Sequence, residues 1–185
     1  MVNVREGGTM GEREELGRLL TGCGAVRFGE FTLASGATSD VYVDIKKAWT
    51  DPTRLAQIAE ALAARVGTVD RLAGMELGAV PLLVATALQT GHAYAVVRKA
   101  AKGHGTNQRI EGEIPPGARV LVIEDVTTSG GSVVETIELL RAAGARVDRV
   151  LCVVDREAGA AERLRAIGVA LEPLLTLKEL RGATA

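Results

Sequence analysis

Apolar positions along this chain follow two rhythms. From Arg71 onward, short contiguous runs of Val, Leu, Ile and Ala alternate with longer stretches in which apolar residues return every three or four positions. The runs Arg71 to Gly74, Ala93 to Val97, Arg119 to Ile123, Val147 to Val154 and Val169 to Leu175 read as strands. Helices are predicted over Pro81 to Gln89, Gly131 to Ala143 and Ala158 to Ile167. Strands and helices that alternate, except across Arg98 to Gly117, predict an α/β fold, a mainly parallel central sheet flanked by helices.

Ahead of this core the pattern changes. Residues 1 to 8 read as loose, and Thr9-Met-Gly-Glu12 is a capping-box pattern opening a helix in which Leu16, Leu19 and Leu20 share a face as far as Gly22 and Gly24. Extended pieces at Ala25 to Phe28, Phe31 to Leu33 and Val41 to Ile45, broken by Gly29-Glu30 and Ser35-Gly36, predict a small β-containing appendage. Asp51 caps and Pro52 starts a further helix carrying Leu55, Ile58, Ala59 and Leu62 on one side. The organisation expected is an N-terminal segment over residues 1–50 and a core over 51–185, together one compact unit. Arg98 to Gly117 shows no period and is too long for an ordinary connector, so it is either functional or disordered.

The most informative junction is Val120 to Ser132. Val120 to Ile123 is apolar on both faces, and two acids, Glu124 and Asp125, follow at the carboxyl end, where parallel sheets bind ligands. Neighbours in a strand point to opposite faces, so the strand is expected to end at Ile123 and free the two acids to act together. After Val126, the run Thr127-Thr128-Ser129-Gly130-Gly131-Ser132 offers hydroxyls and backbone N–H groups at a helix start, a setting for an anion. Phosphate at one end, with ribose hydroxyls or magnesium on the acids at the other, describes a phosphorylated sugar. The plainer alternative is helix capping, but a cap needs one such residue and this loop has several. The chain has no G-x-x-x-x-G-K and no G-x-G-x-x-G, and here the acids precede the loop. The segment resembles the phosphoribosyl-pyrophosphate (PRPP) motif of the type I phosphoribosyltransferases.

Arg98-Lys99-Ala-Ala-Lys102-Gly103-His104-Gly105 sets three cations and a histidine between flexible glycines. Cations on a mobile arm can neutralise a departing pyrophosphate and exclude water; the alternative is a solvated basic loop. Composition narrows the partners. With 185 residues, 47% of them hydrophobic, the chain is long enough for a core that needs no disulfide. A net charge of −1 gives no global field for nucleic acid or membrane, and 3% aromatics leave little base-stacking surface. Cys152, inside an apolar strand run, reads as a buried reduced thiol, and neither it nor Cys23 reads as catalytic. There is no signal-peptide pattern, and Val80 to Leu88 is too short to span a bilayer, so a cytoplasmic protein is expected.

The chain is similar to the orotate phosphoribosyltransferase family in four places. Phe31-Thr-Leu-Ala-Ser35-Gly36 with Ser39 and Tyr42-Val-Asp44 resembles its amino-terminal segment over the pyrimidine. Arg98 to Gly105 resembles its catalytic loop, Glu124 to Ser132 its PRPP motif, and Asp155-Arg156 its D-R pair. The resemblance implies the type I phosphoribosyltransferase fold with an N-terminal hood and a long flexible catalytic loop. It also implies transfer of phosphoribose from PRPP to orotate in pyrimidine (UMP) biosynthesis, with Mg2+ held mainly through PRPP and not by direct protein ligands. Arg98, Lys99, Lys102, His104, Glu124, Asp125, Val126, Thr127, Thr128, Ser129, Gly130, Gly131 and Ser132 are implied for PRPP; Thr128 and Arg156 for orotate; Lys102, Asp125 and His104 for catalysis. A guanidinium fork at Arg156 would also suit a carboxylate on physical grounds. The loop is implied to reach the neighbouring subunit of a homodimer. Two departures stand out: Ala34 and Gly78 occupy positions where many relatives carry lysine, and Lys46 and Lys47, in what reads as an exposed basic turn, are the nearest replacements in sequence. Rival readings are a transferase for another base and a PRPP-sensing regulator, although no effector surface is visible.

Overall fold

The computed structural model describes residues 10–32, 36, 38–100 and 109–182. Helix α1 (Met10–Gly22) leads into an antiparallel ribbon of β1 (Val26–Thr32) and β2 (Thr38–Val43), followed by α2 (Lys46–Trp49) and α3 (Pro52–Ala63). The core continues as β3 (Arg71–Met75), α4 (Val80–Thr90), β4 (Tyr94–Val97), β5 (Ile110–Glu111), β6 (Val120–Thr127), α5 (Gly131–Ala142), β7 (Arg149–Asp155), α6 (Ala160–Ala166), β8 (Ala170–Thr176) and α7 (Leu177–Gly182). Its six strands lie in the order β5-β4-β3-β6-β7-β8, all parallel except the β4–β5 pair.

Double coverage of the sheet follows from β6. Leu121 and Ile123 pack with Ile58, Leu62, Leu72, Leu82 and Leu83 on one side, while Val120 and Val122 pack with Val133, Ile137 and Leu140 on the other. Burying a side chain of this size stabilises by about 1.5–3 kcal/mol, so the apolar runs fix the sheet's position between α3–α4 and α5. Asp51 caps α3 as expected, its carboxylate accepting Arg54 N–H at 3.0 Å with Pro52 in the first turn.

Several expectations need correction. β1 runs through Gly29-Glu30, its register shifting between Phe28 and Phe31, so a bulge replaces the predicted break. β6 continues past Ile123 to Thr127, because β7 goes on pairing with it. The aperiodic stretch Arg98 to Gly117 contains β5, paired antiparallel with β4. The helix predicted from Ala158 begins at Ala160, after Gly159 in the left-handed region (φ 97°). Residues 1 to 8, Thr9, Leu33, Ala34 and Ser35 lie outside the described residues, as do Lys102 and His104. Among the described residues no helix is long and apolar enough to cross a membrane.

Candidate active site

The sheet reverses its winding at β3. From β3 the chain passes through α4 to β4 on one side, and β6 returns to pair with β3 on the other, so their carboxyl ends border a crevice of the kind in which open parallel sheets bind ligands. Backbones approach closely there. A Cβ on Gly74 would stand 2.9 Å from Ile123 O, and one on Gly78 would run into the Asp125 carboxylate. Glycine at 78 therefore lets the β3–α4 segment pass close in front of that acid.

β6 keeps its ladder with β7 as far as Thr127 opposite Asp155, but its ladder with β3 stops at Val122. The edge beyond is open on the β3 side. The two acids therefore stay within the strand: Glu124 Oε1 accepts Asp125 N–H at 3.0 Å and Asp125 Oδ1 accepts Val126 N–H at 2.8 Å. Glu124 is 7% exposed. Burial above all, then the neighbouring Asp125 carboxyl, push the Glu124 carboxyl well above the usual carboxylate range, while the Asp125 N–H and, more weakly, the charge of Lys99 pull it back.

The loop after β6 is stitched from below. Thr127 Oγ1 donates to the buried Asp155 Oδ1 at 2.8 Å, Arg156 N–H to Thr127 O at 2.9 Å, and Ala160 N–H to Thr128 O at 3.1 Å. Asp155 of the D-R pair thus anchors the loop. Gly130 is the N-cap of α5 in the left-handed region (φ 77°), and a Cβ there would also press on Ala160 Cα at 3.2 Å. No side chain caps α5. The capping explanation for this Thr/Ser/Gly run therefore fails: Thr128, Ser129, Gly131 and Ser132 are exposed, and the first-turn N–H groups of α5 have no intrahelical acceptor. Such an end has the chemistry to take up an anion. Cys152 lies beneath, its Sγ 3.5 Å from Thr127 Oγ1, with burial raising its thiol pKa far beyond any nucleophilic range.

On the hood side, Arg156 Nη2 reaches Ser39 Oγ of β2 at 3.5 Å, and its Nε is shielded from solvent with no partner among the described residues. A buried N–H left so costs on the order of 1–3 kcal/mol, which a carboxylate oxygen would offset. Lys46 opens α2 and pairs with Asp44 at 2.8 Å; that bond, and more weakly the charges of Asp125 and Tyr42, raise its pKa. Lys46 and Lys47 are exposed, as expected, but belong to the short helix α2 and not to a turn.

Arg98 and Lys99 meet the same edge. Lys99 N–H donates to Glu76 Oε1 at 2.9 Å, and the Arg98 guanidinium lies between Glu76 at 3.9 Å and Glu111 at 3.8 Å. Sequence reasoning passed over Glu76, although an acid at the end of a parallel strand is the signal that marked Glu124. It also passed over Arg163, whose Nη1 lies 3.5 Å from the Cβ position of Gly131, and Arg109; both owe their placement to tertiary packing alone.

Paired acids and an uncapped hydroxyl loop at a winding reversal suit an anionic sugar ligand, and a family profile described as phosphoribosyl transferase domain matches residues 48–168. The orotate phosphoribosyltransferase of Methanosarcina mazei is 49% identical over 171 residues, covering 91% of each chain. Among solved structures, orotate phosphoribosyltransferase from Aeropyrum pernix superposes with a TM-score of 0.82 at 35% identity, over 91% of this chain and 97% of that one. The Mycobacterium tuberculosis enzyme in complex with PRPP gives 0.74 at 32% identity, over 92% and 99%. This chain belongs to the orotate phosphoribosyltransferase family of the phosphoribosyltransferases.

Proposed function

We infer that the protein transfers the phosphoribosyl group of PRPP to orotate, giving orotidine 5′-phosphate and pyrophosphate, in de novo pyrimidine biosynthesis. Arg156 carries the choice of base: its unmatched buried N–H beside the hood suits the orotate carboxylate, and a base lacking that group would leave the fork unpaired.

In this reading Thr128 to Ser132 hold the 5′-phosphate on the N-terminus of α5, Val126 and the buried Thr127 complete the motif behind them, and Glu124 and Asp125 hold the ribose hydroxyls. Thr128 and Arg156 hold orotate. The ring nitrogen attacks C1′ while the C1′–oxygen bond to pyrophosphate breaks ahead of it, and the negative charge on Asp125 stabilises the cationic sugar. Arg98, Lys99, Lys102 and His104 gather the leaving group. The oxygen donors of Glu124 and Asp125 are of the kind magnesium accepts, and the ion, held mainly through PRPP, would supply further neutralisation of the pyrophosphate. Residues 1–50 act as a hood segment on the 51–185 core, in a cytoplasmic homodimer whose catalytic loop serves the neighbouring subunit.

The test follows orotate absorbance after mixing the protein with orotate, PRPP and magnesium, with uracil and hypoxanthine in parallel. Magnesium-dependent loss of orotate alone is expected. Consumption of another base would reassign the specificity, and PRPP binding without turnover would make the protein a sensor.

A further inference from the structure

All three guanidinium nitrogens of Arg109 are committed at one place. Nε and Nη2 donate to Arg98 O at 2.9 and 2.7 Å, Nη2 also donates to Lys99 O at 2.7 Å, and Nη1 pairs with Glu135 Oε1 at 2.7 Å. The backbone joins in, Arg98 N–H donating to Arg109 O at 2.8 Å. Val97 and Ile110 pair in the β4–β5 ladder, so Arg109 stands directly before β5 and folds its side chain across the neck from which the Arg98–Lys99 main chain leaves the sheet. Glu135 lies one turn into α5, the helix whose start presents the anion loop. One side chain thus ties the cationic segment to the phosphate-facing helix.

An exposed Arg–Glu pair alone contributes little. A planar fork taking two successive carbonyls and a carboxylate differs, because its geometry is fixed and lysine cannot copy it. We propose that Arg109 is a positioning residue for the transfer reaction, setting where and in what direction Arg98 and Lys99 leave the core. This rests on the reading that those cations take up pyrophosphate.

Arg109→Lys keeps the charge and loses the fork, whereas Glu135→Gln keeps the fork and weakens the tether. Steady-state kinetics in both directions, PRPP binding by calorimetry and thermal midpoints test the pair. Displaced cations should raise the KM for PRPP and, in reverse, for pyrophosphate by about tenfold in Arg109→Lys, with a smaller rise in Glu135→Gln. The KM values for orotate and orotidine 5′-phosphate, and the thermal midpoint, should stay as in the unmodified protein. Unchanged PRPP and pyrophosphate constants overturn the proposal, as does a uniform loss for all four substrates that tracks a lower midpoint. The calorimetric comparison needs no orotate turnover, so a wrong base assignment would leave it intact while the kinetic arm exposed the error.

Discussion

A carboxyl group buried against another carboxyl favours its protonated form, and Glu124 is such a group. Its folded pKa lies above its unfolded one, so its contribution to stability is complete below the ordinary carboxylate range and is lost as pH rises through the raised value. The thermal midpoint should therefore decline as pH rises above the ordinary carboxylate range. Glu124→Gln should flatten that decline and gain on the unmodified protein at the alkaline end, while binding PRPP more weakly. Parallel midpoint-versus-pH curves for the two proteins would sink this account. Gly78 makes the complementary case, since any side chain there collides with Asp125. Gly78→Ala should displace the carboxylate, costing about 1–3 kcal/mol of stability by overpacking and lowering PRPP affinity; a variant with unaltered denaturation and PRPP binding would show that Asp125 moves aside freely.

At the scale of elements, the hood is held to the core partly by its far end. Arg181 of α7 pairs with Asp40 of β2 at 2.7 Å and lies 5.5 Å from the centre of the Phe28 ring. Exposed pairs of this sort contribute up to about 1 kcal/mol, so Arg181→Ala should barely move the midpoint, yet it should raise the KM for orotate by loosening β2 beside Arg156. An unchanged KM would detach α7 from the site. These contacts also mark what a sequence can disclose. The strands of the parallel core were legible because their apolar runs are long enough to define coverage on both faces, and the anion loop because its residues have no better use. β5, two residues long, is below any period. α7 had a signal that was passed over: Thr176 and Glu179 form a reciprocal capping box, Thr176 N–H donating to Glu179 Oε2 at 2.7 Å and Glu179 N–H to Thr176 Oγ1 at 3.2 Å. The extent of β6 and the embrace of Arg98 by Glu76 and Glu111 depend on partners distant in sequence, which no local pattern encodes.

In the proposed function the molecule divides its chemistry between a crevice for the sugar and the base and a cationic segment that the proposed assembly lends to its neighbour. The division makes a decisive prediction. Lys102→Ala should abolish most turnover by removing charge from the pyrophosphate, and Arg156→Ala should abolish it by releasing orotate. If the loop acts across the interface, a hybrid of the two variants has one crevice with both an intact Arg156 and an intact incoming Lys102, whereas its other crevice lacks both. Random exchange of subunits makes about half the dimers hybrids, each with one working site, so the mixture should recover about a quarter of the unmodified activity. A loop that serves its own subunit leaves every crevice in the mixture defective, and activity stays at the level of the separate variants. Recovery on mixing therefore reports both the dimer and the direction in which the loop reaches.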